Sequence, residues 1–257
     1  MSLPFHEPFP LTYTNGALLG SATGGGAIWT GGNSVGTGSA IITNVAALSY
    51  SGLATGGGMG LLQPGPGTAR NRGVPFTPQT LSAANPTVYA SFLLQPKTTP
   101  TETRLLAYFR SDSSSGTPHA GVFINASRQL QVSRNATSPD TPTTSALALD
   151  TTYFVVLRYK FNAGSANDEV ALWLNPTPGG SEPAPTISTT TGGSDLSSLS
   201  CFFVAVPSSG GVGSTNWMDE IRVGTNWAQV TPAAGCTSAS ITTGPTNQTA
   251  NVGETVT

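Results

Sequence analysis

Asn-Trp-Met-Asp-Glu-Ile-Arg-Val-Gly-Thr-Asn-Trp-Ala-Gln-Val-Thr-Pro, residues 216 to 232, reads as the closing strand of a β-domain. Alternation in an extended chain places Met218, Glu220 and Arg222 on one side and Asp219, Ile221 and Val223 on the other, while Gly224, Asn226 and Pro232 stop the run. The adjacent acids Asp219 and Glu220 are therefore expected to point to opposite faces.

Working outward from this stretch, seven further runs have strand length and are rich in β-branched and aromatic residues: Val88 to Leu94, Arg104 to Arg110, Ala120 to Asn125, Gln129 to Arg134, Thr152 to Phe161, Glu169 to Asn175 and Leu199 to Val206. Each is bounded by Pro, Gly, Asn, Asp or Ser. No long run carries apolar residues at helical spacing, so the chain is read as all-β, with two antiparallel sheets packed face to face. Prolines in residues 4 to 20 mark an edge-like segment, with the first strand expected near Phe9 to Tyr13, beside Met218 to Val223. Asn15-Gly16 marks a tight turn. Residues 21 to 38 are expected to be loop and residues 63 to 84 turn-rich.

Composition narrows the functions available. Asp, Glu, Lys and Arg together make up 9% of the 257 residues and the formal net charge is -2, against a usual charged fraction of roughly 25%. This balance gives no electrostatic case for nucleic acid or an anionic membrane. No window of ~20 apolar residues exists to insert into a bilayer. The opening Met1-Ser2-Leu3 lacks the basic and apolar regions of a signal peptide, in keeping with one already removed. The two cysteines, Cys201 and Cys236, form a single pair that allows a disulfide in an oxidising compartment.

"VYASFLLQP" from Val88, "YFVVLRYKFNAGSANDEVALWLNP" from Tyr153 and "DEIRVGTNWAQVTP" from Asp219, in this order and after "LSYSGLATGGG" from Leu48, resemble the concanavalin A-like (laminin G-like) jelly-roll domains of large secreted bacterial proteins. The resemblance spans residues 5 to 232 and implies a jelly-roll sandwich over 1–232. Residues 233–257 resemble a linker followed by the first strand of an immunoglobulin-like repeat, which implies a monomeric module within a longer extracellular chain. Related jelly rolls often hold a structural calcium where the first and last strands meet. The positions carried over for it are Asp219 and Glu7; without metal, Asp219 would instead accept hydrogen bonds from backbone N–H groups.

Glycoside hydrolysis needs two carboxylates about 5 to 9.5 Å apart, but no two of the 12 acids lie two or four residues apart along a strand. Glu102, Glu169 and Glu220 could supply such a site only by converging from different strands. Gly32-Asn33-Ser34-Val35-Gly36 matches the nucleophile-elbow pattern in a glycine-rich loop, where the required strand and helix have no place. A lyase site would need Tyr159 beside Arg158 and Lys160, whereas alternation sends Tyr159 to the opposite face. Sugar binding asks only for an aromatic face and planar hydrogen-bonding groups. If their faces form one concave sheet, Arg104, Tyr108, Arg110, Arg158, Lys160 and Trp173 could line a groove.

The expectation is a non-catalytic, secreted, carbohydrate-binding or adhesion module of a multidomain cell-surface protein, with a polysaccharide or glycan as partner. A polysaccharide-active hydrolase or lyase and a ligand-free spacer are the alternatives. Exposure of Trp29, Trp173, Trp217 and Trp227 is the observation that discriminates best among them.

Overall fold

The computed structural model describes residues 1–36, 39–63, 70–80, 82, 87–113, 118–135, 138–140, 143–206 and 215–235. Fifteen strands run through them: β1 (Phe5–Glu7), β2 (Gly31–Gly32), β3 (Ile41–Thr43), β4 (Gly60–Gln63), β5 (Arg72–Thr80), β6 (Thr87–Pro96), β7 (Arg104–Arg110), β8 (His119–Ile124), β9 (Gln129–Ser133), β10 (Thr143–Ala146), β11 (Tyr153–Lys160), β12 (Glu169–Leu174), β13 (Ile187–Thr189), β14 (Ser198–Val204) and β15 (Asn216–Gly224). One sheet has the order β13-β12-β11-β6-β15-β4-β3, with β1 also paired to β15; the other has the order β10-β9-β8-β7-β14-β5-β2. Every pairing in them is antiparallel. The architecture is an all-β, two-sheet antiparallel sandwich of jelly-roll-like form.

The core follows from alternation. Val155, Leu157 and Tyr159 of β11, Phe92 and Leu94 of β6, and Phe202 and Val204 of β14 all point between the sheets. Their alternates on the first sheet do not meet water either. Tyr89, Leu93, Phe154, Val156 and Trp173 form a second apolar layer with Leu48, Leu53, Trp227 and Val230. A smaller group, Tyr108, Cys201, Phe203 and Ala205, lies on the outer face of the second sheet. Long polar loops fold back to cover both outer surfaces, which is how so weakly charged a chain buries so many aromatic rings.

The closing strand is central. β15 pairs with β6 along one side; along the other it pairs with β4 at residues 216 to 218 and with β1 at residues 221 to 223. The first strand is therefore in the same sheet as β15, but at Phe5–Glu7 instead of Phe9 to Tyr13. The alternation expected along β15 breaks between Asp219 and Arg222, where the register against β6 shifts. Glu220 there has φ 54, and this β-bulge lets Met218, Ile221 and Val223 all reach the core. The bulge also overturns the expected opposition of Asp219 and Glu220, since it inserts a residue between two normally alternating halves.

Two other expectations are corrected. Residues 72 to 80, expected as turns, form the nine-residue β5. β2 covers only Arg72 and Gly73 of it, so Pro75 and Pro78 sit where the missing N–H costs no ladder bond. Trp227–Val230, read as strand, is one helical turn capped by the Asn226 side chain, which accepts from the Gln229 N–H. Ala233 bridges Leu53, and the Ala234 N–H donates to the Gly52 carbonyl. Residues 236 to 257, with the immunoglobulin-like segment, lie outside the described residues.

Candidate functional site

The six residues expected to share a groove fall on two different sheets. Arg104, Tyr108 and Arg110 belong to β7 of the second sheet, and Arg158, Lys160 and Trp173 to β11 and β12 of the first. The main core lies between the two sheets, so no single groove holds all six. On β7 the register against β8 shifts around Ala107. Leu106, Ala107 and Phe109 are in the main core while Tyr108 is outside it, so Leu106 does not share a face with Tyr108 as strict alternation would have it.

Neither half offers an open aromatic face. Tyr108 is 2% exposed and stacks on Phe203 at 4.9 Å, with the Arg110 guanidinium 5.1 Å from the Phe203 centroid. Arg104 pairs with Glu102 at 2.8 Å. Trp173 is also 2% exposed; Trp227 packs edge-on against it, and its indole N–H donates to the Pro183 carbonyl at 2.9 Å. Arg158 lies over Trp173 and is held by Glu169 and Glu182, and the Tyr89 hydroxyl donates to Glu182. Lys160 is half-buried at the end of β11.

The two positions carried over for calcium do not fit a cation. Glu7 accepts from the Phe9 N–H, the Tyr13 hydroxyl and the Trp29 indole N–H at 2.8 to 3.1 Å. Asp219 accepts from the Leu48 N–H at 2.8 Å and the Glu220 N–H at 2.7 Å. Both oxygens of each carboxylate thus face donor hydrogens, which occupy the space a hard cation needs. No group of three or more His, Cys, Asp or Glu able to hold a metal exists among the described residues. Burial dominates both acids, raising Glu7 above the usual carboxylate range and pushing Asp219 up to about 8.

The acids that a hydrolase would need are also engaged. Glu220 is fully buried and accepts from the Gly56 N–H at 2.5 Å, from Arg222 at 2.7 Å and from His6 at 2.7 Å. Glu169 is at the start of β12, Glu102 precedes β7 in the other sheet, and each is paired with an arginine. Tyr159 is fully buried in the main core with its hydroxyl donated to Asp168, facing away from Arg158 and Lys160. Residues 33 to 36 of the elbow-like pattern are bends and coil.

Of the four tryptophans, Trp29, Trp173 and Trp227 are buried, and Trp217 is partly exposed. Its neighbours on β15 explain why. Met218 is in the main core, so Trp217 projects from the opposite face, on the rung shared with Leu62 of β4 and Gln95 of β6. The Lys97 ammonium stands 4.1 Å from the ring centroid and pairs with Asp150. Gln95 donates to the Asp150 carbonyl at 3.1 Å and to the Thr152 hydroxyl at 3.4 Å. An aromatic ring on a rigid central strand, bordered by amide, ammonium, carboxylate and hydroxyl groups, has the chemistry of a sugar platform. Sequence reasoning missed it because a tryptophan two residues before adjacent acids looks no different from one turned inward.

No family model matches the chain, and no curated protein matches it in sequence. Solved structures resemble it weakly. A sialidase of Trypanosoma rangeli aligns with 75% of the chain at 17% identity and a TM-score of 0.45, and the chain spans only 28% of that protein. Peanut lectin aligns with 75% of the chain at 12% identity and a TM-score of 0.44, with 94% of the lectin covered. The exoplasmic/lumenal domain of VIP36, in a form bound to Ca2+ and Man3GlcNAc, aligns with 69% of the chain at 7% identity and a TM-score of 0.42, with 82% of that domain covered.

Proposed function

We propose that this sandwich is a non-catalytic glycan-binding module of concanavalin A-like type, working outside the cell as one part of a longer adhesive protein. The observation that carries the proposal is the partly exposed Trp217 on the central strand, beside Lys97, Gln95 and Asp150. Stacking on an indole needs no net charge, which suits a chain of net charge -2. The absence of chemistry is supported by the acids: Glu220 is sealed between His6, Arg222 and a backbone N–H, while Glu169 starts β12 of one sheet and Glu102 precedes β7 of the other.

The test is a glycan array probed with the intact chain and with Trp217→Ala. Binding lost in the variant, while its circular dichroism spectrum stays unchanged, supports the proposal. Binding that survives the substitution, or no binding to any glycan, overturns it and leaves the spacer role.

A further inference from the structure

The rung that carries Trp217 is partly exposed along its length. Across five neighbouring strands it runs Ile41, Leu62, Trp217, Gln95, Thr152: Ile41 is opposite Leu62, Leu62 opposite Trp217 and Trp217 opposite Gln95, and Gln95 reaches Thr152 through its side chain. All five residues are partly exposed. The next rung inward is different, with Gly60, Asp219, Leu93 and Phe154 all buried. The cover formed by Leu48, Leu53, Trp227 and Val230 packs over those inner rungs, and Trp217 packs against the rim of this cluster while staying partly exposed.

From this arrangement, and resting on the glycan-binding role proposed above, we infer that the ligand is the interior of an uncharged polysaccharide chain, lying side-on across the strands. Four steps of ~4.8 Å from Ile41 to Thr152 give a lane of about 19 Å, close to four pyranose units. Ile41 and Leu62 supply apolar surface for the C–H faces of sugar rings on one side of Trp217; Gln95 and Thr152 supply hydrogen bonds on the other. The strand ends beside Trp217, at the middle of the lane, are held in place. The Lys97 N–H donates to the Thr215 carbonyl and the Thr215 N–H to the Thr98 hydroxyl, just before β15 begins.

Lys97 and Asp150 set the charge preference. Together they are neutral, so they present one donor group and one acceptor group, which matches a pair of neighbouring sugar hydroxyls. A uronic acid in the same place would meet the Asp150 carboxylate, which is 67% exposed, and could claim Lys97 only by breaking the existing pair. Lys97 now lies over the indole ring. An exposed cation–π contact and a surface ion pair are both weak, so a ligand ring can displace it.

The experiment measures binding by calorimetry and tryptophan fluorescence for neutral β-1,4-linked glucan, mannan and xylan oligomers of one to six units, and for oligogalacturonates of the same lengths. For at least one neutral series, affinity should climb with length and level off near four units, and survive reduction of the chain end. Trp217→Ala and Gln95→Ala should each weaken it, the first at least tenfold, with melting temperatures tracked as the folding control. Saturation at one unit, loss on end reduction, or tighter binding of the acidic series refutes the lane while leaving glycan binding intact. No binding by any oligomer, together with an empty glycan array, refutes both.

Discussion

Tyr159 donates its hydroxyl to a carboxylate oxygen of Asp168 at 2.5 Å, and both residues are fully buried between the sheets. Asp168 also accepts from the N–H groups of Asn162 and Leu196, so one acid ties β11 to the loop that follows it and to the loop before β14. Tyr159→Phe removes one of these donors and leaves the carboxylate less satisfied at no change in volume. The expected cost is about 1–3 kcal/mol in the midpoint of urea unfolding, with the slope unchanged. A loss below about 0.5 kcal/mol would show that the bond contributes nothing net.

The tryptophans should separate into two classes. Trp173→Ala empties a site sealed by Trp227, Tyr89 and Arg158 and should cost ~3–5 kcal/mol. Trp217→Ala removes a partly exposed ring and a surface cation–π contact, and should cost no more than about 1–2 kcal/mol. Equal losses at the two positions would mean that Trp217 is a packing residue, not a platform.

Asp219 gives the stability a pH dependence of definite sign. Burial raises its pKa from 3.8 to about 8, so between those values the folded chain holds a proton that the unfolded chain releases. Its contribution is complete below about pH 4, is lost as pH rises towards 8, and changes no further above that. Burial lowers the pKa of His119, which acts in the other direction: stability falls as pH drops below the usual histidine value of about 6.5. Melting temperatures of the native chain and of Asp219→Asn should therefore draw together as the pH is raised from 5 to 8 if the amide costs a fixed amount, because the acid loses its advantage at high pH. A difference that is constant over this range would show Asp219 ionised throughout.

Cys201 provides a test of redox state. Its thiol has no disulfide partner among the described residues and is fully buried beside Gly73 and Phe203, and burial pushes its pKa up to about 12. Cys236 lies outside the described residues. Ala233, three positions earlier, pairs with Leu53, part of the cover on the outer face of the other sheet. In the native state Cys201 should resist alkylation at pH 8. In denaturant without reductant, modification of two thiols excludes the disulfide considered from the sequence; an unmodified mass establishes it.

The class of the fold was legible because runs such as 153–160 and 199–204 have strand length, are rich in β-branched and aromatic residues and are bounded by turn residues. The missed elements share a different cause. β5 contains two prolines, tolerable only because β2 leaves most of its edge free, and a sequence does not state which neighbours a strand will have. The bulge at Glu220 similarly depends on two strands, β4 and β1, meeting the same edge of β15. Alternation correctly separated Tyr159 from Arg158, since β11 is regular along all eight residues. It failed to show that β7 and β11 lie in different sheets, which is a property of strand order, not of any strand.

The last prediction is that the chain turns over no polysaccharide. General acid–base chemistry needs two groups within hydrogen-bond reach of one substrate. Here Glu169 starts β12 of one sheet, Glu102 precedes β7 of the other, and Glu220 is closed off. Reducing-sugar and unsaturated-product assays on every glycan that binds should stay at background. Glu102→Gln and Glu169→Gln should bind as the native chain does, because neither borders Trp217. Glu220→Gln should act on folding instead: it leaves the buried Arg222 guanidinium without its charged partner, at a cost of about 3–5 kcal/mol. Product release that disappears in Glu102→Gln or Glu169→Gln, with the fold intact, would make the module an enzyme.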